Sequence, residues 1–318
     1  MVVKLFIDVA GSELEHRTVT AAGYIASEAQ LAAFRPAWEA VLARAGAKDK
    51  IFHANEFFHR SGRFSQLKPA SEAARHQALA REFATVAHVN LPNALAYSLD
   101  CYHFSDFLGP VFAKAKTPHD RMPAAVLAVA GLCNRAAQDC LPPSCGKHGI
   151  VFVEEGGDTG EILTYLRWLK EIGEPWTAAF LEFLPILKTD FAVQAADLLA
   201  YEVWHETTRV LEDPERNGKW AAIERDTFKI LATGPAMLPP VPGGHVRIDY
   251  ATEQHYRHSA PAFAAFIAAN IQYQRPTWRH RWQRNLRLWW NRKRRHAMKY
   301  FKGRAKRIYY ETRNHFRL

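Results

Sequence analysis

Short apolar runs that end in acidic residues constrain the fold of this 318-residue chain more than any other feature. Leu5–Ile7 is followed directly by Asp8, and Ile150–Val153 is followed by Glu154 and Glu155. Because four successive apolar residues leave no polar face, the second run is typical of a strand that is buried on both sides. Functional sites of open α/β sheets are built at the carboxyl ends of strands. These acids are therefore the first candidates for function.

The rest of the chain alternates between strand and helix patterns. Val2–Asp8 and Arg17–Ser27 predict a β-hairpin that opens the fold. Further strands are predicted at Ile51–Ala54, Ala94–Leu99 and Ile150–Val153, with a last strand at Leu181–Ile186. Apolar residues at helical spacing predict helices at Glu28–Ala45, Glu72–His88, Ala124–Gln138, Glu161–Ile172, Phe191–Thr207 and Ala262–Gln272. This alternation predicts an α/β fold with a mixed sheet flanked by helices, and only residues 213–260 resist assignment.

Charge is divided sharply along the chain, and this division predicts the domain organisation. The formal net charge is +10, but residues 275–318 hold 16 of the 42 Lys and Arg residues and one of the 32 acidic residues. The preceding 274 residues therefore carry a net charge of −5. We expect a globular domain over residues 1–274, since 48% hydrophobic content suits a packed core. Residues 275–318 would form a separate basic tail.

Cysteine usage and hydropathy indicate a cytoplasmic protein. The four cysteines show neither CxxC pairs nor a disulfide-dense pattern. No apolar stretch reaches the roughly 18 residues of a transmembrane helix. The start of the chain reaches Asp8 too soon to contain the long apolar region of a signal peptide. We therefore expect no transmembrane segment and a reducing environment, while no pattern predicts the oligomeric state.

A third acidic candidate, Asp197, lies on the helix predicted over Phe191–Thr207. It occupies the border of the apolar side of that helix, and its alanine neighbours allow a close approach to the sheet. A carboxylate is costly to bury alone, and a divalent cation shared with Asp8 and with Glu154 or Glu155 would offset that cost. The alternative for each acid is an ordinary solvated strand end or a helix cap.

Four motifs together resemble a known family. They are IDVAG at 7–11, FHANEF at 52–57, FVEEGGDTG at 152–160 and VQAADLLAYE at 193–202. Their combination is similar to the family catalogued as domain of unknown function 3800, over roughly residues 3–212. The last motif is the most specific. The first departs from the Asp-Glu-Ser-Gly usual in that family, since Val9 and Ala10 replace its Glu and Ser.

The resemblance implies an RNase H-like fold with a metal-dependent nuclease site. Asp8, Glu154, Glu155 and Asp197 would be its catalytic acids and would carry Mg²⁺ or Mn²⁺, because these hard ions prefer carboxylate oxygens. The bound ions would activate a water and stabilise the departing oxygen of a phosphodiester. The replacement of the family's Glu and Ser by Val9 and Ala10 leaves an alternative open, a catalytically impaired protein that still binds nucleic acid.

Three further polar residues belong to the matched motifs. His53 would act in general acid/base catalysis or contact a phosphate, since imidazole titrates near neutrality. Glu56 would be an additional metal ligand, or simply an acid in the first turn of a helix, where it suits the helix dipole. Gln194 would orient a metal ligand or contact the nucleic acid from the helix that bears Asp197.

The basic tail interleaves cations with aromatic residues. Trp278, Trp282, Leu286 and Trp289 recur at helical spacing and predict a basic amphipathic helix. Cations that neutralise phosphates and rings that stack on bases indicate a DNA or RNA partner. The residues expected to contact it are Arg279, Trp282, Arg292, Lys293, Arg294 and Arg295. An anionic membrane surface is one alternative, and docking of the Trp stripe on the acidic domain is another.

The sequence thus favours a Mg²⁺- or Mn²⁺-dependent nuclease that hydrolyses phosphodiester bonds. The motifs of several other chemistries, GxGxxG, GxxxxGK[ST], GxSxG and HExxH, do not occur. The order of the predicted elements does not distinguish DNA from RNA as the substrate.

Overall fold

The strands in the described part of the chain form one mixed sheet. The computed structural model describes residues 2–11, 18–47, 49–101, 124–212, 226–233 and 247–251, which all belong to one compact unit. The strands are β1 (Val2–Ala10), β2 (Thr18–Ala26), β3 (Asn93–Asp100), β4 (His148–Glu154), β5 (Phe180–Ile186) and β6 (Arg247–Ala251). The helices are α1 (Glu28–Ala45), α2 (Ala54–Phe58), α3 (Ala73–Asn90), α4 (Ala124–Asp139), α5 (Thr159–Glu171), α6 (Phe191–Glu212) and α7 (Asp226–Thr233). The predicted α/β class is confirmed.

The strand order is β5-β4-β1-β2-β3-β6. An antiparallel meander of β1, β2 and β3 forms the centre, while β4 runs parallel to β1, and β5 runs parallel to β4. The short β6 runs parallel to β3 at the opposite edge. The carboxyl ends of β1, β4 and β5 therefore lie side by side, which brings together the loops that follow them.

Helices cover both faces of the central strands. Every residue of β2 is buried, and since side chains alternate between the two faces of a strand, neither face is open to solvent. Helix α6 packs on β1 and β2, and α4 packs on β2 and β3. A cluster of buried side chains joins one face of the sheet to α1, α3 and α6. It is centred on an aromatic group that includes Trp38, Phe52 and Phe83.

Helix α1 spans the same residues as predicted, because both of its ends carry strong signals. Ser27 and Gln30 form a capping box, in which each side chain bonds the other residue's backbone N–H. Gly46 follows the helix with a φ of 77°, a left-handed conformation that glycine adopts without strain. The buried side of the helix contains Leu31, Phe34 and Trp38, at the spacing read from the sequence.

Three predicted elements differ from the structure. Strand β1 continues to Ala10, so that Asp8 lies within the strand and does not end it. Ile51–Ala54 is not a strand, since the buried Phe52 enters the aromatic group and Ala54 begins α2. Strand β5 is not the last strand, because β6 follows within the unassigned region 213–260.

Several predictions lie outside the described residues. These are the turn before β2, most of the unassigned region, the helix at Ala262–Gln272, the domain boundary at residue 275 and the whole basic tail. Within the described ranges, none of the helices is long and apolar enough to cross a membrane.

A substitution at Gly23 tests whether β2 lies as close to β1 as the structure shows. A Cβ at this position would lie 2.0 Å from the carbonyl oxygen of Phe6, so Gly23→Ala has to displace the backbone of the central strand pair. We expect a loss of about 2–3 kcal/mol in the free energy of unfolding, measured by urea denaturation. Gly160→Ala in α5 is the control, since no atom lies within 4 Å of its added Cβ. Equal stability of the two variants would contradict this account of the sheet.

Candidate active site

The predicted acids converge at the carboxyl ends of β1 and β4. They line a cavity of about 400 Å³ together with residues from the loop after β5 and from α6. The charged and titratable residues among those lining it include Asp8, His53, Glu154, Glu155, Lys188 and Asp197. Five of these six were predicted from the sequence, and Lys188 was not.

The register of the two parallel strands places Asp8 beside Glu154. Ile7 pairs with Val153, so that the next residues of each strand are neighbours. Thr159 fixes the turn that follows β4, since its hydroxyl donates to the carbonyl of Glu154 and accepts from the N–H of Gly156. The two carboxyl groups approach within hydrogen-bonding contact.

Asp197 reaches the same cavity from α6. It is 6% exposed, and its Oδ2 accepts a hydrogen bond of 2.9 Å from the backbone N–H of Ala54 at the start of α2. Val193 and Ala196 are fully buried, which lets the helix lie against β1 and β2 as the alanine-rich sequence predicted. Asp197 thus joins the α2 segment to the sheet.

His53 lies at the N-terminal end of α2, on the cavity side. Its Nδ1 is 3.6 Å from Oδ2 of Asp197 and has no hydrogen-bond partner among the described residues. The imidazole is 40% exposed, so it is accessible to a ligand in the cavity. The structure therefore brings His53 to the predicted position, beside an acidic group.

Lys188 provides the cation that sequence reasoning missed. Its Nζ lies 3.0 Å and 3.1 Å from the two carboxylate oxygens of Glu154 and 3.0 Å from Oδ2 of Asp197. The Lys188 side chain is only 19% exposed. Burial alone would lower the pKa of Lys188, but Asp197, Asp8 and Glu154 raise it above its usual value. The lysine is therefore a fixed positive charge.

The surroundings of Asp8 disfavour its charged form. Burial contributes most, followed by the nearby carboxylates of Asp197 and Glu154, and together they raise the pKa of Asp8 well above its usual value even though Lys188 lowers it. Three acids share one ammonium group.

Gln194 does not reach the cavity, which corrects the prediction that it contacts nucleic acid. The residue is fully buried. Its Oε1 accepts from the Trp38 indole and from the backbone N–H of Phe52, and its Nε2 donates to the backbone carbonyls of Lys50 and Lys188. All hydrogen-bonding positions of the amide are therefore occupied within the protein. Gln194 instead holds the segment that carries Lys188.

Glu56 is not brought into the site. It lies in the first turn of α2, and its carboxylate accepts from the backbone N–H and the guanidinium of Arg63. The alternative of a structural first-turn acid therefore describes Glu56 better than the metal-ligand prediction. Glu155 lines the cavity, but it is exposed, and its backbone N–H donates to the carbonyl of Ile186.

An aromatic wall borders the acids. Tyr201 and Trp204 of α6 line the cavity, one and two turns beyond Asp197. Phe58 stacks on Tyr201, with the ring centroids 4.9 Å apart, and the Trp204 indole donates to the carbonyl of Thr18. Trp204 is half-buried and also packs against the core cluster, and no motif of the sequence marked it as a cavity residue.

The carboxylates of Asp8, Glu154 and Asp197 are the possible ligands for a divalent cation in this cavity. As arranged, no three His, Cys, Asp or Glu residues in the described ranges form a group that could hold a metal ion, and Lys188 lies between Glu154 and Asp197. The chemistry of the donors nevertheless suits Mg²⁺ or Mn²⁺, since all are carboxylate oxygens.

The nucleic-acid residues predicted in the tail, from Arg279 to Arg295, lie outside the described residues. Searches of known proteins add no further guidance, since the chain matches no family model, no curated protein and no solved structure. The resemblance to domain of unknown function 3800 therefore stays a prediction based on the four motifs.

Opposite effects on stability are expected from two substitutions in the cavity. Because the pKa of Asp8 is raised in the folded protein, the native state binds more protons than the unfolded state above about pH 4, and stability falls as the pH rises. Asp8→Asn removes this penalty and should stabilise the metal-free protein by about 1 kcal/mol at pH 7.5. Asp197→Asn should destabilise it by about 2 kcal/mol, since Lys188 loses a charged partner.

Thermal unfolding of both variants between pH 5 and pH 8 checks this prediction. The advantage of Asp8→Asn over the wild type should grow with pH and disappear towards pH 4. A loss of stability in Asp8→Asn at neutral pH would show that Asp8 has a favourable partner and would contradict the raised pKa of Asp8.

Proposed function

We propose that the protein is a nuclease that hydrolyses phosphodiester bonds of DNA or RNA with the help of Mg²⁺ or Mn²⁺. One observation carries the proposal. Asp8, Glu154 and Asp197, which are far apart in the sequence, line the same cavity and lie close enough to raise the pKa of Asp8. Such closeness of three carboxylates is electrostatically unfavourable unless a cation binds them.

The sheet supports an RNase H-like fold as part of this proposal. The resemblance implies a mixed sheet flanked by helices, and the structure has such a sheet, with an antiparallel meander that continues through two parallel strands in the order β3-β2-β1-β4-β5. Asp8 and Glu154 lie towards the carboxyl ends of β1 and β4. Asp197 lies on α6, the helix that follows β5. That is where the resemblance places the metal ligands.

Asp8, Glu154 and Asp197 would hold the divalent cation, with waters and substrate phosphate as its other ligands. The ion, when bound, acts as a Lewis acid towards water and phosphate. In the hydrolysis, a water oxygen forms a bond to phosphorus, and the bond from phosphorus to the sugar oxygen breaks. The departing oxygen takes a proton, and the attacking water loses one. His53, at 3.6 Å from Asp197, is placed to move one of these protons.

A nuclease assay tests the proposal. Single- and double-stranded DNA and RNA are incubated with the wild type and Mg²⁺ or Mn²⁺, beside Asp8→Asn and Asp197→Asn. We expect cleavage that needs the ion and that falls at least about 100-fold in both variants, since each removes a charged ligand.

Glu171→Gln is the matched control, because Glu171 is an exposed acid at the end of α5. It should cleave like the wild type. Cleavage that survives in Asp8→Asn or in the absence of the ion would exclude the proposed site. Binding of nucleic acid without any cleavage would favour the catalytically impaired alternative.

The basic tail is proposed to bind the nucleic acid. The acidic domain repels a polyanion at long range, whereas residues 275–318 hold 16 cations and attract it. A full-length variant with Arg292, Lys293, Arg294 and Arg295 all changed to Gln should bind more weakly. Its slope of log affinity against log salt should fall by about 3, since each lost phosphate contact removes roughly 0.7–0.9.

Fluorescence anisotropy with a labelled oligonucleotide between 50 mM and 300 mM salt measures this slope. Lys68→Gln, at an exposed position of the domain, should leave it unchanged. An unchanged slope in the tail variant would mean that the tail does not contact phosphates. Vesicles with anionic lipid then show whether the tail binds a membrane surface instead.

A further inference from the structure

Among the described residues, β5 is the outermost strand on one side of the sheet. Its inner side pairs with β4, where the carbonyl of Ile186 accepts from the backbone N–H of Glu155. Because the backbone groups of successive residues point to alternate sides of a strand, Phe183 and Pro185 direct theirs away from β4. An outermost strand of this kind offers N–H and C=O groups to a strand of another chain.

Two cations of α5 bind carbonyl groups of this strand. The guanidinium of Arg167 donates to the carbonyl of Phe183 at 2.8 Å. Nζ of Lys170 donates to the carbonyl of Phe180 at 2.7 Å and also to that of Leu181. Residues three apart in a helix lie on the same face, so one face of α5 places both cations along β5. The carbonyl groups that another strand would need already have donors within the protein.

Two features of β5 itself also interrupt strand pairing. Pro185 lies on the outer side and has no backbone N–H to donate. At the other end, Gly149 of β4 pairs with Phe180, but the next residue, Ile150, pairs with Glu182. Leu181 is therefore the extra residue of a β-bulge. Prolines, bulges and cations along an edge are devices by which sheets avoid the addition of a strand, and β5 has all three.

The side chains of β5 show why such protection is needed. Leu181 is 45% exposed, and Leu187, directly after the strand, is 57% exposed. Apolar side chains beside an accessible backbone edge are the combination that promotes association through strands. The strand also leads into the connection that carries Lys188. A strand that was added along β5 and continued past its end would lie beside that connection.

We infer that Arg167 and Lys170 keep β5 closed to a second copy of this chain. The strand that would pair with β5 in their absence is β5 of the other copy, because a two-fold axis brings the same edge of both chains together and makes the two strands antiparallel. The two cations thus set how the protein associates. This role is independent of the proposed nuclease function.

Hydrogen exchange and sedimentation of the full-length protein test the inference. Samples range from about 5 µM to about 500 µM, because pairing between copies follows mass action. Mass spectrometry measures the exchange of residues 180–187, and analytical ultracentrifugation measures the mass. In the wild type, we expect the same exchange at all concentrations. In the double variant Arg167→Met and Lys170→Met, we expect dimers, with protection of these residues that grows at least about tenfold over the range.

Two further variants separate the lost donors from the changed surface. Lys68→Met with Lys229→Met is the matched control, since it replaces two exposed cations elsewhere on the domain and changes the net charge by the same amount. It should behave like the wild type. Pro185→Val, added to the double variant, supplies an outward N–H with a side chain of similar size. It should tighten the dimer further, which an association through apolar surface alone would not explain.

Several results would overturn the inference. Protection of residues 180–187 that depends on concentration in the wild type would show that β5 pairs despite the two cations. Unchanged protection in the double variant, association that leaves these residues unprotected, or equal association of the control would also contradict it. If circular dichroism shows that the double variant does not fold, Arg167→Met and Lys170→Met are tested singly. Each opens part of the edge, and no gain in protection in either would overturn the inference.

Discussion

The buried amide of Gln194 connects the parts of the protein on which the cavity depends. Through four hydrogen bonds it joins α6 to the indole of Trp38 in α1, to the segment before α2 and to the connection after β5. The segment before α2 brings His53 and the N–H of Ala54 to the cavity, and the connection brings Lys188. A residue that touches no ligand thus sets the positions of groups that would. Its loss would leave several buried polar atoms without partners.

The same arrangement brings like charges together, which a fold selected for stability alone would avoid. Asp8 and Glu154 are neighbours because β1 and β4 are parallel and in register, and Asp197 joins them because alanines allow α6 to lie close to the sheet. Lys188 offsets part of the repulsion. The repulsion that remains is the reason to expect a cation, since a site built for a charged ligand destabilises the protein until that ligand binds.

The sequence predicted the elements with strong local signals. Helix α1 was placed to the residue by its apolar spacing, and the structure adds the caps that fix its ends. Asp8, Glu154, Asp197 and His53 were found because acids after strands and the four motifs mark chain positions directly. Lys188 could not be found in this way, because a lysine after a strand is ordinarily a solvated residue. Its role depends on its contacts with Glu154 at the end of β4 and with Asp197 in α6, which only the folded chain brings together. Phe52 was taken for part of a strand because an apolar pair reads alike in a strand and in a buried turn.

The acidic cavity and the basic tail both affect how an anionic substrate would reach the site. A phosphodiester is an anion, and the domain that would cut it presents acidic residues to it. The substrate therefore needs positive charge both at long range and inside the cavity. The tail would supply attraction over about a Debye length, and salt screens it. Inside the cavity, the ammonium group of Lys188 would act at contact distance, where the enclosed site screens little. The two contributions are separable by experiment, since salt weakens the first far more than the second.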